Sequence, residues 1–130
     1  MKISRFIFCT FILFFLDSRA TEACPSFHIY YIPLDRNFFV PPIPVEKNAL
    51  KEFDLKDCDV EKLFASFEKC PKTERDEKLA RIKIVRLSDS QSLLIDQEGS
   101  VLRNNMTCTI LSKVTSKAIK KIQTKAEPKH

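Results

Sequence analysis

Apolar and polar residues alternate most regularly between positions 78 and 111, KLARIKIVRLSDSQSLLIDQEGSVLRNNMTCTIL. Ile82 and Ile84 share one side of an extended chain and Arg81 and Lys83 the other, the period of a half-buried strand. Residues 88–92 (SDSQS) read as a loop and 93–95 as the next strand. In Asp96-Gln97-Glu98-Gly99, a type I turn followed by a residue at positive φ closes a hairpin, and glycine takes that φ without strain. Gly99 is the only glycine of the 130 residues, so its position is informative. Val101 and Leu102 continue outward and residues 105–111 return. There Met106, Cys108 and Ile110 alternate with Thr107 and Thr109. This predicts Cys108 facing inward, with Asn105 and the two threonines facing outward.

Elsewhere the pattern is more varied. Residues 27–32 (FHIYYI) are β-branched and aromatic, a fourth strand by propensity, and Pro33 ends it. Residues 38–45 (FFVPPIPV) carry no charge and three prolines, which cannot donate to a ladder, so they predict an edge strand or polyproline-like ribbon. Residues 46–57 fit neither period. Asp59 then stands as an N-cap for a helix over 60–70, where Val60, Leu63, Phe64, Phe67 and Cys70 form one apolar stripe. Pro71 stops that helix, and residues 71–78 form a charged, solvated connection. The tail predicts a basic helix with Val114, Ala118, Ile122 and Ala126 on one stripe and Lys113, Lys117, Lys120, Lys121 and Lys125 elsewhere.

The pattern therefore predicts an α+β fold: a small antiparallel sheet of about four strands, one amphipathic helix packed on a face, and a C-terminal basic helix. Residues 21–111 form the single domain and 112–130 the basic tail. Positions 1–20 are set apart. Lys2 and Arg5 precede an unbroken apolar run over 6–16, and Ser18-Arg19-Ala20 places small residues before a cleavage point, the pattern of a secretory signal peptide. The eleven-residue run is too short for the ~20 residues that a spanning helix needs. A lipoprotein alternative would cleave before Cys24, but its usual leucine is replaced by Thr21.

Charge follows the same division. The whole chain is +5 at neutral pH. Without positions 1–20 it is +3, residues 21–112 carry −2, and the segment from 112 onward carries six lysines against Glu127 alone. A nucleic-acid-binding domain would concentrate positive charge on its folded surface, so nucleic acid is not an expected partner.

Cys24, Cys58, Cys70 and Cys108 remain after the signal, an even set in a small exported chain, and predict two disulfides. A helix between Cys58 and Cys70 would separate them by about 18 Å, beyond the ~7 Å that a disulfide tolerates. Two pairings stay open: Cys24–Cys58 with Cys70–Cys108, or Cys24–Cys70 with Cys58–Cys108.

Little catalytic chemistry is visible. His28 and His130 are the only histidines, no Cys-x-x-Cys or His-x-x-x-His spacing is present, and no metal or cofactor is expected. There is no Gly-x-Ser-x-Gly, and one glycine cannot build a phosphate-cradling loop. The Cys-Lys-x-x-Asn-Thr-Phe signature of pancreatic ribonucleases is absent. So is the Gln-x-Val-x-Gly wedge of cystatin inhibitors, which Gln97-Glu98-Gly99 does not reproduce. His28 reads as a structural histidine in an apolar strand.

The function expected is an exported, non-enzymatic protein-binding role of the inhibitor or periplasmic immunity type, in an extracellular or periplasmic space. The rivals are a membrane-active basic protein working through residues 113–125, and a small secreted hydrolase. Candidate contact residues are Phe38, Phe39, Pro41, Pro42, Ile43 and Pro44 of the ribbon, and Lys113, Lys117, Lys120 and Lys121 of the tail, with the 88–92 and 96–99 loops. One reading lays the ribbon's apolar side chains over the core; the other presents them to a partner. Asn105-Met106-Thr107 is a glycosylation sequon, relevant in a eukaryotic secretory route.

Overall fold

The computed structural model describes residues 24–38, 40–108 and 112–128. The expected signal peptide, Phe39, residues 109–111 and His130 lie outside them. The chain is α+β, as expected, but the sheet has seven strands among the described residues rather than about four. In chain order the elements are β1 (Ser26–Tyr31), α1 (Val45–Asn48), β2 (Lys51–Lys56), α2 (Cys58–Lys69), β3 (Lys72–Glu74), a 3-10 turn (Glu77–Leu79), β4 (Ala80–Arg86), β5 (Ser92–Asp96), β6 (Val101–Arg103), β7 (Met106–Cys108) and α3 (Ser112–Ala126). The strands are ordered β2-β1-β4-β5-β6-β7-β3, and every pair is antiparallel.

The period-two pattern decides which face is buried. Ile29 and Tyr31 of β1 lie in register with Ile84 and Ile82 of β4, and these with Leu93 and Ile95 of β5, while Phe27 lies opposite Arg86. Against them pack Val60, Leu63, Phe64 and Phe67 from α2, and Ala118, Ile122 and Ala126 from α3. Each of the four α2 side chains is fully buried and stabilises the packed state by roughly 1.5–3 kcal/mol. The Phe64 ring stacks on Phe27 at 5.3 Å. The apolar stripe of the basic tail is therefore spent in the same core as the sheet. On the other face a smaller cluster of Ile32, Val45 and Ala80 packs with Tyr30 and Leu94.

Two disulfides tie α2 at both ends, Cys24–Cys58 and Cys70–Cys108, with Cα atoms 4.9 and 5.9 Å apart. This is one of the two pairings that the helix argument leaves open. The N-cap is Asp57 rather than Asp59. Asp57 Oδ1 accepts from the amides of Asp59 at 2.8 Å and Val60 at 3.2 Å, which draws Cys58 into the first turn. Asp59 sits in that turn, where an acid suits the helix dipole.

Two of the extra strands come from segments with weak apolar signals, and the other from the division of the last part of the meander into β6 and β7. Residues 46–57 divide into α1 and the six-residue β2, whose Phe53 and Leu55 are partly buried while Glu52, Asp54 and Lys56 are exposed. The 71–78 connection contains β3, all three residues of which are exposed. Pairing with β7 and the adjacent Cys70–Cys108 bridge, not burial, makes it a strand. The sheet's fourth strand starts at Ala80, after the 3-10 turn, rather than at 78.

The hairpin turns follow their chemistry. Gly99 has φ +85°, and its amide donates to the Asp96 carbonyl at 2.9 Å. Asp96, fully buried, accepts through Oδ1 from the amides of Glu98 at 3.0 Å and Ser100 at 2.9 Å, and through Oδ2 from Arg75 at 2.7 Å. Asn104 and Asn105, at φ 53° and 59°, make the two-residue turn between β6 and β7. Cys108 packs against the main core as the alternation predicts. Thr107 departs from the prediction: it is buried, and its hydroxyl donates to the Val101 carbonyl at 2.9 Å. That bond offsets the cost of removing the hydroxyl from water.

Candidate partner-binding surface

The ribbon after β1 crosses the second face of the sheet without joining its ladders. Val45 and Pro42 turn down and are buried, Val45 against Ile32 and Ala80. Between and before these anchors the chain turns outward. Phe38 is 40% exposed, Val40 74% and Ile43 45%, while Pro41 and Pro44 are exposed beside them. The ribbon is thus divided, with Pro42 and Val45 buried and Phe38, Val40 and Ile43 exposed. Its buried pair fixes its course, and its outward residues form an apolar row.

That row is held from below. Arg81, 3% exposed, lies under the Phe38 ring with its guanidinium carbon 5.1 Å from the centroid. Arg81 also donates to the carbonyls of Arg36 and Ala80 and to Gln97 Oε1. Burial holds its pKa below the usual arginine value. Next to the row, a cleft of about 300 Å³ opens between Ile43, Pro44 and Val45 on one side and Leu94 and Leu102 on the sheet. Lys83 and Glu46, also on its lining, form an ion pair across the two walls. Glu77, Ser92, Arg103 and Asn104 complete its lining, so the cleft is of mixed character.

The tail lysines are placed differently. Lys113, Lys117, Lys120, Lys121 and Lys125 are all exposed on α3, whose opposite side is in the core. Lys121 lies 4.0 Å from Asp59 of α2. No helix among the described residues is long and apolar enough to cross a membrane. The ribbon and the lysine row lie on opposite sides of the sheet and do not converge. Asn105 is exposed at the tip of the β6–β7 turn, accessible as a sequon must be.

One arrangement escapes the sequence reading. His28 is not enclosed by apolar neighbours. It sits on the exposed face of β1 with Nδ1 2.5 Å from Asp54 Oδ1 and Nε2 2.6 Å from Glu52 Oε1. The hydrogen bond to Asp54, then that to Glu52, raises its pKa above the usual histidine value. The alternation in KEFDLK carried the signal for this, since it puts Glu52 and Asp54 on one side of a strand. Among the described residues no group of three or more His, Cys, Asp or Glu side chains is arranged to hold a metal ion.

The two intramolecular disulfides are those of a chain that matures in an oxidising, non-cytoplasmic location. No protein-family model matches the chain, no curated protein matches its sequence, and no solved structure matches its fold.

Proposed function

We propose that the protein is an exported, non-enzymatic binding domain of the inhibitor or immunity type, and that it engages a partner protein through the ribbon over residues 38–46. The observation that carries this is the outward row of Phe38, Val40 and Ile43 beside a cleft of mixed apolar and polar lining, on a segment anchored by Pro42 and Val45. Exposed apolar rows with polar rims are typical of protein contact sites, and a contact segment held in place before binding loses less entropy on association. The partner's matching surface is apolar at its centre, with a side chain long enough to reach Leu94 and Leu102.

The rival readings draw less support. Membrane insertion by α3 needs an apolar face, and Ala118, Ile122 and Ala126 are committed to the core. For hydrolysis, His28 is the one described histidine, and both its ring nitrogens are held by carboxylates, so it has no free lone pair to act as a base. Capture of the partner from the native source separates these readings. Wild type should retain a specific protein that a Val40→Asp/Ile43→Asp variant loses and a Lys113, Lys117, Lys120, Lys121→Ala variant keeps. Loss with the lysine variant, or retention by the ribbon variant, contradicts the proposal.

A further inference from the structure

β2 is an outer strand of the sheet, and its register with β1 shows which of its backbone groups are committed. The Asp57 amide donates to the Pro25 carbonyl at 3.2 Å, in line with the pairs Phe27↔Leu55 and Ile29↔Phe53. Hydrogen-bonded pairs recur at every second residue of an antiparallel ladder. Phe53 and Leu55 therefore bond inward to β1, and the N–H and C=O groups of Glu52, Asp54 and Lys56 point away from the sheet. Among the described residues no backbone group meets that outer row.

The side chains along this edge are self-complementary. Residues 51–57 read Lys-Glu-Phe-Asp-Leu-Lys-Asp. About Asp54, Phe53 mirrors Leu55, Glu52 mirrors Lys56 and Lys51 mirrors Asp57. We infer that β2 is a homodimer interface, in which two copies pair this strand antiparallel about Asp54 and join their sheets into one.

In that register the outward groups of Glu52, Asp54 and Lys56 meet those of Lys56, Asp54 and Glu52 of the second copy, so the backbone pattern and the charge pattern agree. Phe53 lies opposite Leu55, an apolar cross-strand pair made twice. Sliding by two residues, so that Phe53 faces Phe53, places Glu52 opposite Asp54 twice, and like charges in direct opposition destabilise a sheet. Sliding the other way, so that Leu55 faces Leu55, still sets Asp54 against Lys56 but shortens the paired segment. Lysines on an edge strand ordinarily block pairing; here Lys56 meets Glu52 of the second copy, while Lys51 donates to the Ala126 carbonyl of its own α3. The two central Asp54 carboxylates are each bound at 2.5 Å to His28 of their own copy, and an imidazolium there offsets their repulsion. The other outer strand, β3, follows Pro71 and has three residues; Lys72 mirrors Glu74 about Thr73, but the segment is half the length of β2 and has no apolar cross-strand pair.

Sedimentation velocity on the exported protein, with both disulfides formed, tests this. Wild type should dimerise with concentration. Lys56→Glu and Glu52→Lys each set two like-charge pairs across the interface and should weaken dimerisation by about 10–100-fold. An equal mixture of the two variants restores opposite charges at both positions and should recover the dimer as a heterodimer. Circular dichroism verifies that each variant is folded. A wild type that stays monomeric at about 1 mM, a Lys56→Glu variant that dimerises as wild type does, or folded variants that fail to rescue one another would each overturn the inference. Partner capture through the ribbon is a separate readout and survives any of these results.

Discussion

Replacing Cys70 and Cys108 together by serine removes the bridge that ties the end of α2 to β7, and its cost follows from the loop it closes. The two cysteines are 38 residues apart. Closing a loop of that size in the unfolded chain removes entropy worth about 4 kcal/mol at 25 °C. The Cys24–Cys58 loop spans 34 residues, so the same relation gives a value within about 0.1 kcal/mol of the first. Against the 5–15 kcal/mol of a typical domain, either loss is severe, and both together leave little or no stable fold. For a chain of this length, about 4 kcal/mol corresponds to a Tm lower by roughly 10–20 °C. Urea titration of the two double variants measures these costs. A thiol count checks the pairing, because neither variant should show a free thiol. The reasoning is refuted if removing Cys70 and Cys108 costs less than about 1 kcal/mol, or if free thiols appear, as the alternative pairing requires.

Two further outcomes are expected. The His28 pKa is raised by Asp54 and Glu52, so its stabilisation is complete below the unfolded value of about 6.5 and is lost as pH rises through the higher folded value. The carboxylates are well exposed, which limits the effect to about 0.5–1 kcal/mol; urea melts across this window should show that loss in wild type and not in His28→Gln. Asp96→Ala strands the Glu98 and Ser100 amides and removes one of the two carboxylates that hold Arg75, Glu98 remaining at 2.6 Å, and should cost about 2–4 kcal/mol, whereas Asp96→Asn keeps an acceptor for the amides and should cost about 1–2 kcal/mol, both by thermal unfolding.

The parts of the fold legible in sequence are those where one strong local signal dominates. Gly99 in a chain with no other glycine marks its hairpin, and Val60, Leu63, Phe64 and Phe67 mark the buried face of α2. The α3 stripe was equally clear, as was the impossibility of bridging Cys58 to Cys70. What escaped was set by tertiary pairing. Lys72–Glu74 has no buried residue and becomes a strand only because β7 and a disulfide hold it. In residues 46–57 a short helix and a strand abut, so neither period extends far enough to be recognised. Asp57 and Asp59 are both N-cap residue types, and it is Asp57 that has extended backbone and accepts from the Asp59 and Val60 amides. Alternation places Thr107 on the solvent side because it does not register the Val101 carbonyl that accepts from it. For the ribbon, composition raised both burial and exposure, and the division between Pro42 and Val40 depends on what lies beneath each.

The most direct test of the binding proposal is amide hydrogen exchange on the protein free and bound to its captured partner. Binding through the ribbon should slow exchange in residues 38–46 and in the strands carrying Leu94 and Leu102, with α3 unchanged. Protection confined to residues 113–125, or none in the ribbon, would contradict it.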